Sequence, residues 1–432
     1  MRRGGMATYV VVSLLLLVLP IPVQAQSRVV DFAVYSSPER LPLYEEFFAA
    51  FTEKTGIEVN FIQVPGNQIQ KWEQVITRVA GGVSPDIVGA VSVEFVQYAA
   101  VGLAQPFDPY LSMDDSVSID DLIPSLVEAF QWQNQQYLMP YGASGVPLAY
   151  NQRLFDEAGL ARPPAMWGDP GWTWESFLSV LRSLTRRDGE GNIVQFGLAG
   201  PPWDSWITLP YTWGGDWIDP ELRRFTGNEP GAIAALQAMQ DLRWTHHVMP
   251  QPNEPGGGFT GFLTGTAAVA GAGTWNLPSM ISSDQPLALL PWFRVDDNPL
   301  KGPINPVGLV MLSSAPHPLE AWEFVKFATL DPVGNYLYAR AAGALPSYIG
   351  EPHQEWLREL TEQAPHLNPM VFLQQVAEHP AIVNIRKVTT FNEINTVMSA
   401  AVNDVLNNVT SPRQAMAEVA PVVQMLIDMS EH

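Results

Sequence analysis

The chain runs to 432 residues, 47% of them hydrophobic, and carries a formal net charge of −21 with five lysines and no cysteine. Such an acid excess argues against nucleic acid or an anionic membrane surface as a partner, and the missing thiols exclude disulfides, thiolate metal sites, a cysteine nucleophile and the lipid-bearing cysteine of a bacterial lipoprotein. The length exceeds what one hydrophobic core usually serves, so two domains are expected.

Arg2 and Arg3, an apolar run from Tyr9 to Leu19, Pro20, Pro22 and the small-residue ending Val23-Gln24-Ala25 form the pattern of a secretory signal peptide cleaved after Ala25. The run is about 11 residues where spanning needs about 20, so residues 1–25 are expected to be removed and the mature chain exported, free in a periplasm or other extracytoplasmic space. Val29 to Ser36 then reads as a buried strand, Leu43 to Lys54 as a helix stopped at Thr55-Gly56, and Ile57 to Gln63 as the next strand. Strand, helix, strand with short links is a βαβ unit and predicts a parallel sheet covered by helices. Ile69 to Ala80 continues as a helix closed by Gly81-Gly82, Ser84 to Val88 turns into a third strand, and Glu94 to Ala100 is a further helix stopped at Gly102. Ligands of open parallel sheets lie beyond the carboxyl ends of the strands. That rule places Ser36, Ser37, Asp86 and Glu94 at a cleft edge, with a turn or cap role for Asp86 equally open.

Pro140 to Gly145 and Pro303 to Gly308 are breaker-rich links that suit hinges. Thr173 is an N-cap candidate for a helix opening at Trp174, so Trp172 and Trp174 are expected to pack that helix start. Ala232 to Trp244 reads as an amphipathic helix, Pro250 to Gly261 as a glycine-rich loop, and Ala267 to Ala270 as a strand that delivers Trp275 and Asn276 to a loop. The tail from Phe391 to Met429 is two helices parted near Asn407 to Pro412. The stretch Trp203 to Trp217 (WDSWITLPYTWGGDW) stands apart: it sets four indoles, a tyrosine and two aspartates beside a Gly-Gly turn, and residues 167–217 hold seven of the 14 tryptophans. Flat apolar faces beside short hydrogen-bonding side chains suit a sugar, whose C–H patches pack on indole while its hydroxyls bond to Asp, Asn and Gln. Tryptophans are also highly buried on average. Mixed with Asp, Gly and Pro, however, they lack the periodic apolar face of a buried element.

The ordered strings FFAAFTEKTGIEVNF (Phe47 to Phe61), ITRVAGGVSPDIV (Ile76 to Val88), YAAVGLAQPFDPYL (Tyr98 to Leu111), QYLMPYGASGVPLAYNQRLFDEAGL (Gln136 to Leu160), WTWESFLSVLRSLT (Trp172 to Thr185), FLTGTAAVAGAGTWNL (Phe262 to Leu277), VGLVMLSSAPHPLEAWEFVKFAT (Val307 to Thr329) and AAGALPSY (Ala341 to Tyr348) resemble the family 1 extracellular solute-binding proteins, ligand receptors of ABC importers. The resemblance implies the α/β, two-lobed type II periplasmic-binding-protein fold, each lobe a sheet flanked by helices. It implies crossings between lobes at the two breaker-rich links and again near Ala344 to Tyr348. The lobes would then comprise 26–142 with 308–345, and 143–307 with 346–432. It also implies a carbohydrate, by the aromatic count an oligosaccharide, held between the lobes and passed to the transmembrane subunits of an ABC permease.

In that cleft Trp203, Trp206, Trp213 and Trp275 are expected to stack on sugar faces, with Trp217 and Trp292 as weaker candidates. Asp86, Glu94, Asp204, Asp216 and Asn276 would bond hydroxyls. Ser36, Ser37, Ser144 and Gly308 would contribute from strand ends and hinges, and Gly214 and Gly215 would offer backbone N–H groups. By resemblance Trp275 lies against the sugar, Phe391 falls where relatives place a stacking aromatic, and Arg386 lies just before it.

No enzymatic machinery is evident. Gly256-x-Gly258-x-x-Gly261 follows Pro252 to Pro255 rather than a strand, so it fails the dinucleotide-binding context. No GxxxxGK occurs, Ser144 lacks nucleophile-elbow spacing, and His246 and His247 are adjacent rather than spaced as zinc ligands. Asn408-Val409-Thr410 is read as an incidental match to a glycosylation acceptor. The expectation is a monomeric binding protein with no cofactor, no metal and no catalysis. The rivals are a receptor for a glycerophosphodiester or polyamine and, further off, a secreted polysaccharide-active enzyme, whose acidic pair only the fold would reveal.

Overall fold

The computed structural model of the protein describes residues 28–64, 68–91, 95–201, 205–252 and 254–430. The leader, Glu94, Trp203 and Asp204 therefore lie outside the described residues.

Two sheets organise the chain. The first has eight strands. Within it β1 (Val29–Val34) pairs in parallel with β2 (Glu58–Gln63) and β3 (Ile87–Val91), as the βαβ pattern predicts. The short β4 (Ala104–Gln105) follows, then a small separate hairpin of β5 (Gln131–Trp132) and β6 (Gln135–Gln136). β7 (Leu138–Gly145) continues into β8 (Leu148–Asn151) of the second sheet. That five-stranded sheet is completed by β9 (Arg186–Arg187), β10 (Ile193–Leu198), β11 (Ala267–Gly271) and β12 (Leu287–Leu290), in the order β12-β8-β11-β10-β9. The chain then returns: β13 (Gly302–Leu312) slots antiparallel between β3 and β7, and β14 (Leu345–Pro346) and β15 (Pro380–Ala381) add short edges to the first sheet.

The first sheet buries both faces. On one, the helix Leu41–Thr55 lays Tyr44, Phe47 and Phe51, a helical i, i+3, i+7 row, against Phe32, Phe324, Phe327 and Tyr338. Gly56 ends this helix in the left-handed conformation at φ 69°, which a side chain would resist. On the other face Trp72, Phe95, Phe130 and Trp132 pack on Val88 and Val310. A third cluster fills the second sheet and includes the two carboxy-terminal helices, Phe391–Leu406 and Pro412–Asp428. Thr173 closes a capping box with Ser176, and Trp172 is buried at the helix start it caps.

Two readings of local structure change. The segment Ser205–Thr212 is a helix with Pro210 inside it, because Ile207, Leu209 and Tyr211 point into the core and that burial outweighs the lost backbone bond. The glycine-rich stretch also runs into a helix, Gly258–Thr264, which Gly258 opens.

Candidate functional site

β1 and β3 run parallel in the first sheet and β10 and β11 in the second, so the carboxyl ends of each pair lie together. After β1, Ser36 and Ser37 lead into the turn Pro38–Arg40; Ser36 is buried, and its carbonyl accepts a bond from Gln63 Nε2 (2.7 Å). The Ser37 hydroxyl holds the solvent-exposed Glu39 carboxyl below its usual value, so it stays an ionised acceptor. Arg40 Nη1 donates to the Ala341 carbonyl (3.2 Å) and its guanidinium lies over Gly343, the left-handed C-cap of the helix Pro332–Ala342.

After β11 the turn Thr274–Asn276 faces that point. Thr274 Oγ1 donates to the Gly343 carbonyl (2.7 Å) and also meets Ser144 Oγ of β7. The Trp275 indole folds back over Gly273, where an added Cβ would sit 2.3 to 2.4 Å from three ring carbons, and Trp275 keeps 36% of its surface exposed. Ser144 and Trp275 thus meet at one seam with Arg40 and Thr274, and Ser36, Ser37 and Glu39 stand on the turn that carries Arg40; Glu39, Arg40 and Thr274 were missed by sequence reasoning. Glu39 and Arg40 were legible as the polar residues following the first strand; the role of Thr274 needed the fold. A second bridge crosses between the halves where Asn392 Nδ2 donates to Gln97 Oε1 (2.8 Å).

Asp216 sits elsewhere. It accepts from the Tyr211 hydroxyl (2.9 Å), from its neighbour's backbone at Trp217 (2.6 Å) and from Asn384 Nδ2 (3.3 Å), and it lines a pocket with Gly214, Gly215, Lys301 and Ile382. Burial pushes its carboxyl above the ordinary value, outweighing the lowering effect of those donors. Arg386, buried in the turn Asn384–Lys387, borders a small cavity between Phe95 and Ala129 on one side and Ile382 and Val383 on the other. Trp206 is half-buried and leans on Trp217, ring centres 5.7 Å apart.

Several expected contributors are placed against a ligand role. Asp86 precedes β3, at its amino end, so it lies across the sheet from the strand ends; fully buried, its carboxylate accepts from the backbone of Asp31 (2.7 Å) and His317 (2.6 Å) and from His317 Nδ1 (3.0 Å). Gly308 is mid-strand between β3 and β7, where a Cβ would press on Met139 and Phe130. Phe391, Trp217 and Trp292 are core residues, 6%, 0% and 4% exposed, and the two indoles donate to the carbonyls of Ile207 and Val146. Trp213 packs edge-on against Trp174 and Phe293. Asn276 accepts from Gly273 N and closes its own turn. The N–H groups of Gly214 and Gly215 are used by the carbonyls of Tyr211 and Pro210, and Gly215 is needed for close crossing with Gly231. Among the described residues one His/carboxylate group, Asp31, Asp86 and His317, has ligand atoms within 4.8 Å of one another. Three N–H donors already occupy the Asp86 carboxylate, and they tie the start of β3 to β1 and to the residue that precedes the helix Pro318–Leu330.

Among the described residues no helix is long and apolar enough to cross a membrane. Compared with known proteins, the chain is 28% identical over 131 residues to a binding protein of Brucella abortus, so the match spans about 30% of the length of either chain. It is 22% identical over 295 residues to the maltotriose-binding protein of Pyrococcus abyssi, covering 67% of this chain and 59% of the relative. In structure it superposes on an ABC substrate-binding protein of Listeria monocytogenes in complex with cycloalternan with a TM-score of 0.78 at 20% identity, covering 93% of this chain and 100% of the other. UgpB of Mycobacterium tuberculosis in complex with glycerophosphocholine gives 0.76 at 18% identity, covering 92% and 98%. These likenesses give the two-lobed periplasmic-binding-protein fold. Residues 36–334 match the family model of the bacterial extracellular solute-binding proteins, and the chain belongs to that family.

Proposed function

We propose that the protein is the extracytoplasmic receptor of an ABC importer, that it closes on an oligosaccharide between its two sheets, and that it passes the sugar unchanged to a permease as a monomer. The observation that carries this is Trp275: an indole laid flat on Gly273 at the seam between the halves, its outer surface exposed. The exposed Glu39 carboxylate, on the turn that carries Arg40, is an acceptor for hydroxyls. The sugar complex of the Listeria protein and the name of the Pyrococcus relative support the ligand class. A ligand touching both halves binds the closed form better, and closure follows from that difference.

The test is thermal unfolding of the purified chain against maltotriose, other di- to tetrasaccharides, glycerophosphocholine and spermidine, with product analysis of every mixture. A sugar at about 100 times its Kd adds about 2.7 kcal/mol of stability. An indole buries about 150–250 Å². The 36% left exposed on Trp275 is therefore worth about 2 kcal/mol on contact, so Trp275→Ala should weaken sugar binding roughly thirtyfold. Stabilisation by glycerophosphocholine or spermidine and by no sugar would overturn the ligand class, and turnover of a sugar would overturn the receptor role.

A further inference from the structure

We infer that Thr274 is a positioning residue: its hydroxyl is the middle link of a hydrogen-bond chain, Ser144 to Thr274 to the Gly343 carbonyl, that fixes the Trp275 indole and ties the two halves of the molecule together. The inference rests on the reading of Trp275 as a ligand-facing indole. Thr274 is 3% exposed and Ser144 6%, so water competes little for either hydroxyl. A threonine hydroxyl has one proton to give. Thr274 gives it to the Gly343 carbonyl at 2.7 Å, so the contact with Ser144 requires Ser144 to be the donor. A donor that is itself an acceptor polarises the next bond, which strengthens the chain.

The three links belong to three different parts of the fold. Ser144 is on β7, paired with Asn305 of β13, where the chain passes from one sheet to the other. Thr274 is in the turn after β11 of the five-stranded sheet. Gly343 ends the helix Pro332–Ala342, which packs on the helix Leu41–Thr55 of the first sheet. Gly343 cannot retreat, because the Arg40 guanidinium occupies the space beside its Cα and Arg40 is itself bonded to the Ala341 carbonyl. The turn that carries the indole is closed internally, with Gly273 N donating to Asn276 Oδ1 (3.0 Å) and Asn276 N to the Gly273 carbonyl (2.9 Å). It therefore moves as a unit, and the Thr274 hydroxyl attaches it to the opposite half. Thr274→Val keeps the shape and removes the donor that the half-buried Gly343 carbonyl accepts from. Thr274→Ser keeps the donor.

The experiment uses the full chain labelled with 5-fluorotryptophan, with the Trp275 fluorine resonance assigned through Trp275→Phe. Thr274→Val should shift or broaden that resonance and leave those of Trp172, Trp217 and Trp292 in place, and small-angle scattering should show a larger radius of gyration for the sugar-free protein. Thr274→Ser should reproduce the wild type in both. Ser144→Ala, which removes only the upstream donor, should move the same resonance by less. An unmoved Trp275 resonance in Thr274→Val with an unchanged radius, or in Ser144→Ala if the valine variant does not fold, overturns the inference; so does Thr274→Ser behaving as the valine variant. Titration with maltotriose separates this from the ligand reading. Thr274→Val should bind roughly tenfold more weakly, whereas a Trp275→Ala chain that binds maltotriose as tightly as wild type would refute the stacking role and leave the fluorine result standing.

Discussion

Asp86→Ala should cripple the fold and leave the sugar site alone. Its carboxylate is fully buried and accepts three N–H groups: the backbones of Asp31 and His317 and the His317 ring. The ring is reachable by water, since the His317 side chain is 37% exposed, so only the two backbone donors are stranded by the truncation. Each stranded buried donor costs about 1–3 kcal/mol. The carboxylate also faces the first turn of the helix Pro318–Leu330, whose favourable interaction with an anion is worth roughly 0.5–1 kcal/mol more. The expected loss is about 4 kcal/mol, read as the fall in the urea-unfolding free energy by circular dichroism, with His317→Ala costing about 1 kcal/mol because water replaces its ring. The affinity of the surviving folded fraction for maltotriose should match wild type. A loss under about 1 kcal/mol, or an intact fold with weakened sugar binding, would refute the reading of Asp86 as a buried structural acceptor and return it to the cleft.

Phe391→Ala should behave as a core truncation, costing about 3–5 kcal/mol in the same unfolding assay with sugar affinity retained, because the ring is 6% exposed; lost affinity without lost stability would show instead a ring that stacks on ligand. Asp216 gives a pH dependence of defined sign. Burial raises its folded pKa above the ordinary 3.8, so the folded chain holds the proton more tightly than the unfolded one and the charged form weakens the fold at neutral pH. Wild type should therefore gain stability relative to Asp216→Asn as the pH falls from neutral toward the ordinary carboxylate range. Urea midpoints of both proteins from pH 7 to pH 4.5 check this, and a gap moving the opposite way would contradict the burial argument.

The fold was legible where local chemistry and tertiary packing agree. The strand-helix-strand opening, the glycine stop at Gly56 and the Thr173 cap each rest on near neighbours in sequence, and each appears where the pattern puts it. The candidate site was harder because a tryptophan's fate is set by residues far along the chain. Trp217 is taken up by Ile207 and Phe225 at the centre of a core, while Trp275, with no more aromatic company in sequence, is left at the seam. The Gly-Gly pair misled for the same reason: its purpose is room for Asn298 and Gly231, which only the fold brings near. Asp86 shows how one residue of strand boundary matters, since a position before β3 and a position after it are separated by the whole length of the strand.

The order in which the first sheet is assembled has a consequence for synthesis. β3 is complete at Val91, but β13, the strand it pairs with on its other side, begins only at Gly302. At about 5–20 residues per second that is a wait of roughly ten to forty seconds during which β1, β2 and β3 hold an unfilled edge. The five-stranded sheet lies wholly inside this interval, so it can finish first although its sequence comes second. The amino-terminal half is thus the last to close, and agents that shield open strand edges should act on the nascent chain until β13 arrives.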